Sequence, residues 1–305
     1  MKFKHSDHSD LLRRLSPPQG KIDMVLDTDT YNEVDDQFAL AYALASPDKL
    51  NVKAIYAAPF HNDRSNGPED GMYRSYDEII RLTKMLKTPF EGSIYRGSKH
   101  FLTNEDTPEE SEAVRDLISR SQKYSPEHPL YVVAIAAITN IASAILMDPT
   151  IIDRIVIVWL GGNPLYWRDT HEFNLFQDIA ASRIIFDCGA PVIQLPCRGV
   201  TSHMLTTIED LKFHIGGKSE LCDALIELYN GYRENHFGYA KELFDVAAVA
   251  WLINSDWAPS LIVPSPIVSY EGNWSCDQTR HPIRTVEYVE RNPIFADMYS
   301  KITTI

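Results

Sequence analysis

Residues 25–40 read Val-Leu-Asp-Thr-Asp-Thr-Tyr-Asn-Glu-Val-Asp-Asp-Gln-Phe-Ala-Leu, a stretch that joins a short apolar run to a longer amphipathic one. The apolar run at 24–26 is typical of a buried β-strand, and the pattern over 35–44 is typical of a helix. Parallel strands that are buried on both faces carry such continuous apolar runs and are connected by helices. This stretch therefore predicts the first strand and helix of an α/β fold.

The same alternation continues along the chain and predicts an open, mostly parallel, doubly wound (Rossmann-like) sheet flanked by helices. Further strands are predicted at 52–57, 131–135, 155–160 and 192–195. Further helices are predicted at 73–86, 110–122, 140–147, 178–188, 208–213, 220–233 and 244–252. No linker-like segment divides the chain, so we expect an N-terminal extension of residues 1–20 and one domain over residues 21–305.

The composition limits the class of partner. A net charge of −13 argues against binding to nucleic acid or to an anionic membrane, since either would favour a basic face. No apolar run is long enough to span a bilayer, and the first 20 residues do not resemble a secretory signal. The four cysteines are scattered rather than paired as in a zinc site, and we expect them to be reduced. These features predict a cytoplasmic protein that acts on a small molecule.

Five carboxylates follow the first predicted strand within ten residues: Asp27, Asp29, Glu33, Asp35 and Asp36. Ligands of such sheets bind beyond the carboxyl ends of the strands, which is where this segment lies. Repulsion among the carboxylates is costly without a cation, and the flexible, oxygen-rich coordination of Ca²⁺ suits an irregular loop. The alternative is that the last two acids only favour the positive end of a helix while the others are solvated.

Two other kinds of acidic loop can be compared with this spacing. An EF-hand that begins at Asp27 requires glycine at its sixth position and glutamate at its twelfth. This chain has Asn32 and Phe38 there. Phosphatases of the haloacid dehalogenase type carry Asp-x-Asp-x-Thr/Val after the first strand, and Asp27-Thr-Asp-Thr-Tyr resembles that motif except at Tyr31. Such a phosphatase, with Asp27 as nucleophile, is therefore one alternative.

The acidic segment more closely resembles the opening motif of the nucleoside hydrolases, Asp-x-Asp-Pro-Gly-x-Asp-Asp, with two extra residues in this chain. Later motifs of that family follow in the same order: Ile138-Thr-Asn-Ile-Ala, Gly161-Gly-Asn, Glu172-Phe-Asn-Leu-Phe-Gln-Asp, Val200-Thr and Phe244-Asp-Val-Ala-Ala-Val. Together these elements span most of residues 22–285. The chain thus resembles a divergent member of the inosine-uridine preferring nucleoside hydrolase family, which implies that family's single-domain fold.

The resemblance also implies a metal centre and a catalytic base. Position by position, the Ca²⁺ ligands would be the carboxylates of Asp29, Asp36 and Asp245 and the main-chain carbonyl of Thr139. Asp35 matches the carboxylate that takes a proton from the attacking water, the role of a general base.

The implied sugar contacts lie in other segments. Asn163, Glu172 and Asn174 match residues that hold the ribose hydroxyls, and Asn62 is expected to be a further sugar contact. Asp27 matches a supporting residue rather than a ligand. These residue types suit N-glycosidic cleavage, because the reaction builds positive charge on the ribose and nearby carboxylates stabilise that charge.

The chain departs from the family pattern at the leaving group. Phe244 stands where many nucleoside hydrolases have a histidine that protonates a purine, and phenylalanine cannot donate a proton. Protonation or stacking of the base is therefore expected from aromatic or titratable residues of nearby segments, although core packing is the alternative for each. The candidates are Trp167, Tyr232 and His236, followed by Tyr229 and Tyr239.

Together the motifs predict a Ca²⁺-dependent N-ribohydrolase that releases ribose and a free base from a ribonucleoside or a related ribosyl compound. The resemblance further implies a homodimer or homotetramer. The absent histidine leaves a second alternative beside the phosphatase: a ribose- or nucleoside-binding protein of the same fold that has lost turnover.

Overall fold

The apolar runs form the centre of an eight-stranded sheet in the computed structural model, which describes residues 7–305. The strands in chain order are β1 (Ile22–Thr28), β2 (Leu50–Ala57), β3 (Ser93–Arg96), β4 (Leu130–Ala134), β5 (Ile155–Leu160), β6 (Val192–Leu195), β7 (Leu205–Thr206), β8 (Lys241–Glu242), β9 (Ser260–Pro264), β10 (Ile267–Val268), β11 (Trp274–Ser275) and β12 (Pro282–Val286). The large sheet has the order β3-β2-β1-β4-β5-β6-β12-β9, and only its β9–β12 pair is antiparallel. The predicted doubly wound, mostly parallel sheet is confirmed.

Helices cover both faces of this sheet. They are α1 (His8–Arg14), α2 (Asp35–Leu44), α3 (Pro68–Thr83), α4 (Glu112–Ser121), α5 (Thr139–Met147), α6 (Phe173–Gln177), α7 (Ile179–Asp187), α8 (Ile208–Ile215), α9 (Glu220–Gly231), α10 (Val246–Ile253) and α11 (Arg291–Ile302). Short helical turns occur at Pro149–Asp153, Cys197–Thr201 and Ser255–Trp257. Every predicted strand and helix is present; α2, β5 and β6 have the predicted ends and the others have shifted ends, whereas β3, β7 to β12, α1, α6 and α11 were not predicted.

Two hydrophobic cores lie on opposite faces of the sheet. Successive side chains of a strand point to opposite faces, so Met24 and Leu26 of β1 pack in one core and Val25 packs in the other. The first core includes residues of α2, α8, α9, α10 and α11, and the second includes residues of α4, α5 and α7. Burial on both faces explains why the central strands carry continuous apolar runs.

The predicted N-terminal extension packs against the domain where the structure describes it. Leu11 and Leu15 are buried in the first core, and the Arg14 guanidinium donates to the Ile152 carbonyl at 2.7 Å. Residues 1–6 of the extension lie outside the described residues.

The strand order sets the position of the functional site. From β1 the chain crosses to β2 on one side, and β4 pairs with β1 on the other side. In open α/β sheets, a crevice forms beyond the carboxyl ends of the strands where the order reverses in this way. The segments that follow β1, β4, β5 and β6 meet there. Within residues 7–305, no helix has the length and apolar character needed to cross a membrane.

Candidate active site and metal centre

Three carboxylates from two helix starts, Asp35, Asp36 and Asp245, meet beyond the end of β1; we call them the acid cluster. Asp35 and Asp36 occupy the first turn of α2, and Asp245 is the residue immediately before α10. All three are buried, and each offers a carboxylate oxygen within 4.8 Å of the others. The packing of α2 against α10 thus brings together residues more than 200 positions apart in the chain.

Asp29 adjoins this group. Its backbone N–H donates to Asp36 Oδ1 at 3.2 Å, and the same oxygen accepts from Thr28 Oγ1 at 2.5 Å. Both carboxylate oxygens of Asp29 are buried and lack a hydrogen-bond partner among the described residues. A buried carboxylate without a partner is costly, so this side chain points to an electropositive group that residues 7–305 do not supply.

The cluster carries strong mutual repulsion. Burial, then the charge of Asp35, raises the pKa of Asp36 to about 8, although the Thr28 hydroxyl lowers it. Burial and the neighbouring carboxylates raise the pKa values of Asp29 and Asp245 well above 3.8. Burial also raises the pKa of Asp35 to about 6, partly offset by the positive charge of Lys241. Without a cation, the carboxylates of the cluster therefore keep protons at pH values where isolated carboxyl groups have lost them.

The donor set fits a divalent cation. Carboxylate oxygens are hard ligands, and the unpartnered oxygens of Asp29 lie beside the group of Asp35, Asp36 and Asp245. Hard oxygen donors in an irregular loop suit Ca²⁺, which accepts variable coordination, better than a soft metal. Thr139, the remaining predicted ligand, is the first residue of α5, and its hydroxyl donates to Asp178 Oδ2 at 2.7 Å.

Asp27 is buried in β1, two residues before Asp29. Its Oδ1 accepts from Asn140 Nδ2 at 2.8 Å, and Asn140 Oδ1 accepts from the backbone N–H of Ser98 at 2.7 Å. Burial raises the pKa of Asp27 to about 7, while Asn140 lowers it. Asp27 thus ties β1 to the start of α5. Asp27 is outside the described lining of both cavities near the cluster, which argues against a phosphatase that uses it as nucleophile.

A cavity of about 180 Å³ opens beside the cluster; we call it the acid cavity. Its walls include Asp35, Asp36, Asp245, Asn32, Glu172 and Asn174. It therefore joins predicted metal ligands, the predicted base and predicted sugar contacts in one space.

Glu172 is held rigidly at the edge of the acid cavity. It caps α6, where Oε1 accepts from Asn174 N at 3.0 Å and Oε2 accepts from Leu175 N at 3.0 Å and Gly162 N at 2.7 Å. The Gly162 contact uses a backbone with φ of +74°, a conformation that favours glycine. Burial raises the pKa of Glu172 despite these donors. The Gly-Gly-Asn and Glu-Phe-Asn motifs are thus one interlocked unit.

The two predicted sugar-binding asparagines of this unit are buried. Asn174 lines the acid cavity and donates from Nδ2 to the Leu160 carbonyl at 3.0 Å. Asn163 is fully buried and is not part of the described lining; it donates to the Asp169 carbonyl at 3.1 Å, and its Oδ1 has no hydrogen-bond partner among the described residues. Each side chain is therefore fixed by its amide N–H, which leaves the carbonyl oxygen as the group able to accept from a hydroxyl.

Asn62 lies behind another asparagine. Its Nδ2 donates to Asn32 Oδ1 at 2.6 Å, and its own Oδ1 accepts from Arg64 N at 2.9 Å. Asn32 lines the acid cavity, whereas Asn62 is not part of its described lining. The structure thus places Asn32 between the predicted residue and the cavity.

The leaving-group side is built differently. Phe244 lines the acid cavity beside Asp245, and the Lys241 ammonium lies 5.5 Å from the Phe244 ring centroid. Lys241 Nζ is 2.5 Å from Glu33 Oε2. Burial lowers the pKa of Lys241, but the charges of Asp35 and Glu33 outweigh that effect and raise it.

A second cavity of about 720 Å³, the outer cavity, lies between α3 and α9 and shares Glu33 with the acid cavity.

The three predicted base-contacting residues lie in three different settings. Tyr232 lines the outer cavity. The Trp167 ring packs on the loop at Gly199, where an added Cβ would come within 3.2 Å of it. The His236 ring lies 5.7 Å from that of Tyr229, and its Nε2–H donates to the Asn230 carbonyl at 3.1 Å. In the described lining of either cavity, Trp167 and His236 do not appear.

Sequence reasoning missed several residues of the site. Asn32, Cys197 and Arg198 line the acid cavity, and Lys241 pairs with Glu33 across 208 positions. Position after a strand was a usable signal for Cys197, which follows β6. Lys241 carried no signal, because a lone lysine in a polar segment is ordinarily a surface residue.

Comparisons with known proteins agree with this geometry. A family model described as inosine-uridine preferring nucleoside hydrolase matches residues 24–290. A pyrimidine-specific ribonucleoside hydrolase, RihA, of Salmonella arizonae is 25% identical over 260 residues, covering 76% of this chain and 80% of that protein. RihA of an Escherichia coli strain is 24% identical over 250 residues, covering 73% and 77%.

Solved structures share the fold. A purine-preferring ribonucleoside hydrolase from Gardnerella vaginalis superposes with a TM-score of 0.74 at 23% identity, covering 92% of this chain and 98% of the other. An inosine-uridine preferring nucleoside hydrolase from Bacillus anthracis gives a TM-score of 0.67 at 18% identity, covering 94% and 100%. The names of these relatives differ in the base that they prefer.

Proposed function

The chain belongs to the inosine-uridine preferring nucleoside hydrolase family, and from that premise we propose that it hydrolyses the N-glycosidic bond of ribonucleosides, with Ca²⁺ as cofactor and ribose and the free base as products. One observation carries the proposal. The acid cluster, with the unpartnered oxygens of Asp29 beside it, opens into a cavity walled by Glu172 and Asn174. That combination offers a cation site, a base and hydroxyl acceptors within one small space.

The cation would be held by Asp29, Asp36 and Asp245, with the carbonyl of Thr139 as a further ligand. When bound, it supplies positive charge that neutralises the carboxylates and Lewis acidity toward oxygen ligands. Ca²⁺ is favoured because every proposed ligand is an oxygen.

Asp35 acts as general base in this proposal. It accepts a proton from the attacking water while the water oxygen bonds to the anomeric carbon. The electron pair of the C–N bond leaves with the nucleobase. The position of Asp35 suits this role, because its carboxylate lines the acid cavity and is buried away from bulk water. A positioned base of this kind contributes about 10²–10⁴-fold to the rate.

The sugar contacts orient the ribose and stabilise its positive charge. Asn163 and Asn174 accept hydrogen bonds from ribose hydroxyls through their side-chain carbonyl oxygens, because the N–H groups of both side chains already donate to backbone carbonyls. Asn32, supported by Asn62, adds a further polar contact. The acidic groups around the cavity favour the oxocarbenium-like transition state. Because these side chains are held by backbone contacts, little reorganisation accompanies the reaction.

Ribose release from purine and pyrimidine ribonucleosides, measured with Ca²⁺ present and after chelation, tests the proposal. The panel includes p-nitrophenyl riboside, whose leaving group requires no protonation. We expect cleavage with Ca²⁺ and its loss on chelation. Binding of ribose or nucleoside without release from any substrate would instead support the non-catalytic binding protein, the alternative that Phe244 favours.

A further inference from the structure

Glu33 belongs to both cavities, and this shared position suggests a task that the proposed sugar chemistry leaves unassigned. The acid cavity, at about 180 Å³, contains the base and the sugar contacts, and the outer cavity of about 720 Å³ adjoins it at Glu33. The ribose occupies the first cavity in the proposed function. A nucleobase attached to that ribose needs room beyond the small acid cavity, and the larger outer cavity adjoins it at Glu33.

Lys241 fixes the Glu33 side chain at that wall. Its ammonium lies 2.5 Å from Glu33 Oε2, and the lysine side chain is only 6% exposed, against 37% for Glu33. The ammonium is also enclosed by rings, 5.4 Å from the Tyr232 centroid and 5.5 Å from that of Phe244. The buried lysine therefore holds one carboxylate oxygen while the half-exposed glutamate retains capacity to accept on the cavity side.

We propose that Glu33 is the leaving-group contact of this hydrolase and that it selects nucleobases presenting an N–H donor, such as an amino group or a ring imide, with Lys241 as its positioning residue. This inference rests on the proposed function. An ionised carboxylate only accepts hydrogen bonds, so it favours a base edge that carries a donor and disfavours one that does not.

The other charges of the outer cavity support this assignment. Glu78 accepts from two guanidinium nitrogens of Arg81, Nε and Nη2, at 2.7 Å each. Arg64 stacks on the Tyr31 ring at 5.0 Å. Glu33 is the acid of the outer cavity that also borders the acid cavity, and it lies in the segment with two extra residues relative to the family motif. The insertion thus adds an acceptor on the side where Phe244 removes a donor.

Matched pairs of nucleosides test the inference. We compare uridine with its analogue methylated on the ring N–H, and adenosine with its analogue dimethylated on the amino group. For at least one pair, we expect the ratio of kcat/KM for the unmethylated nucleoside to kcat/KM for its methylated analogue to be about tenfold or more in the wild-type chain. That is the range for a hydrogen bond to a charged group. In the double variant Glu33→Met with Lys241→Met, which leaves no unpaired charge, this ratio should approach one.

Single variants separate positioning from fold damage. Lys241→Arg keeps the ion pair and should retain the ratio, whereas Lys241→Met should lower it mainly through a higher KM for the unmethylated substrate. Glu242→Gln, a matched control on β8 outside the described lining of both cavities, should keep the wild-type ratio.

Three results would overturn the inference: no preference in the wild-type chain, a ratio that survives in the double variant, or an equal loss on both members of a pair. Cleavage of p-nitrophenyl riboside without cleavage of any nucleoside would also overturn it while leaving ribosyl hydrolysis intact. Release of ribose from no substrate at all would instead contradict the proposed function.

Discussion

The acid cluster lies beyond the end of a central strand, at the starts of two buried helices, whereas the outer cavity lies between the solvent-facing sides of α3 and α9 and the loop that carries Tyr31 and Glu33. Asp36 is 1% exposed and Tyr232 is 37% exposed. Buried strand ends hold side chains in fixed positions, while loops change with little cost to the core. The comparison indicates that the residues proposed for sugar chemistry are fixed by the buried core, whereas the residues proposed to select the nucleobase lie in more exposed segments that can change without disturbing that core.

The largest effect is expected from Asp35→Asn, on the acid-cluster side. Removing the general base should lower kcat by about 10²–10⁴-fold. The loss should be similar for nucleosides and for p-nitrophenyl riboside, because the proton taken from water is independent of the leaving group. Steady-state kinetics on both substrates measures it, with the exposed Asp63→Asn as control. Full activity in Asp35→Asn would remove the base assignment.

The next effect concerns the stability of the cluster without metal. Burial raises the pKa of Asp36 from 3.8 to about 8, so between about pH 4 and pH 8 the folded chain retains protons that the unfolded chain has released. Stability of the metal-free protein should therefore fall as pH rises through this window.

Calcium should offset that loss. At about 100 times its dissociation constant, a ligand contributes about 2.7 kcal/mol, which corresponds to a rise in Tm of about 5 °C. Thermal melts with chelator and with Ca²⁺, at about pH 5.5 and about pH 8, should show the larger rise at the higher pH. An equal rise at both values would contradict the charge assignment of the cluster.

A smaller effect is expected on the leaving-group side. Tyr232→Ala should raise KM for nucleosides by about threefold or more, the range of an aromatic contact, because this ring lines the outer cavity. Trp167→Ala should leave KM near the wild-type value, since its ring packs on the loop at Gly199. Steady-state kinetics of both variants tests the pair. Unchanged KM in both would exclude base stacking on either residue.

The smallest effect is expected from His236→Ala. The ring is stacked with Tyr229 and bound to the Asn230 carbonyl. We expect a change of about twofold at most in kcat/KM, as for substitutions away from a functional contact. A pH–rate profile that loses its basic limb in this variant would instead identify His236 as the leaving-group acid.

The sequence alone predicted the parts of the molecule that follow simple periodic rules. The central strands carry unbroken apolar runs, and Asp35, Asp36 and Asp245 belong to motifs at strand and helix ends. β3 was missed because its four residues, Ser93–Arg96, lie at the sheet edge and form no apolar run. The strands β9, β10 and β11 are short and partly exposed, and Arg284 and Thr285 interrupt the apolar residues of the buried β12, which removes the same signal.

Long-range pairs set the other limit. Lys241 meets Glu33 only after the chain has folded, and no local pattern marks either residue as a partner of the other. Asn62, predicted to contact the sugar, donates to Asn32, and Asn32 is the one of the pair that belongs to the described lining of the acid cavity. Position along the chain locates the edge of the sheet where a site forms. It does not determine which of two neighbouring amides faces the cavity.

Direct measurement of Ca²⁺ binding by titration calorimetry tests the central claim, that the acid cluster separates a cation site from a base. For wild type and Asp35→Asn we expect one Ca²⁺ per chain with similar affinity, although Asp35→Asn has lost turnover. For Asp36→Asn we expect binding to be lost. Loss of Ca²⁺ binding in Asp35→Asn would contradict the account, because Asp35 would then be a ligand of the cation rather than the base.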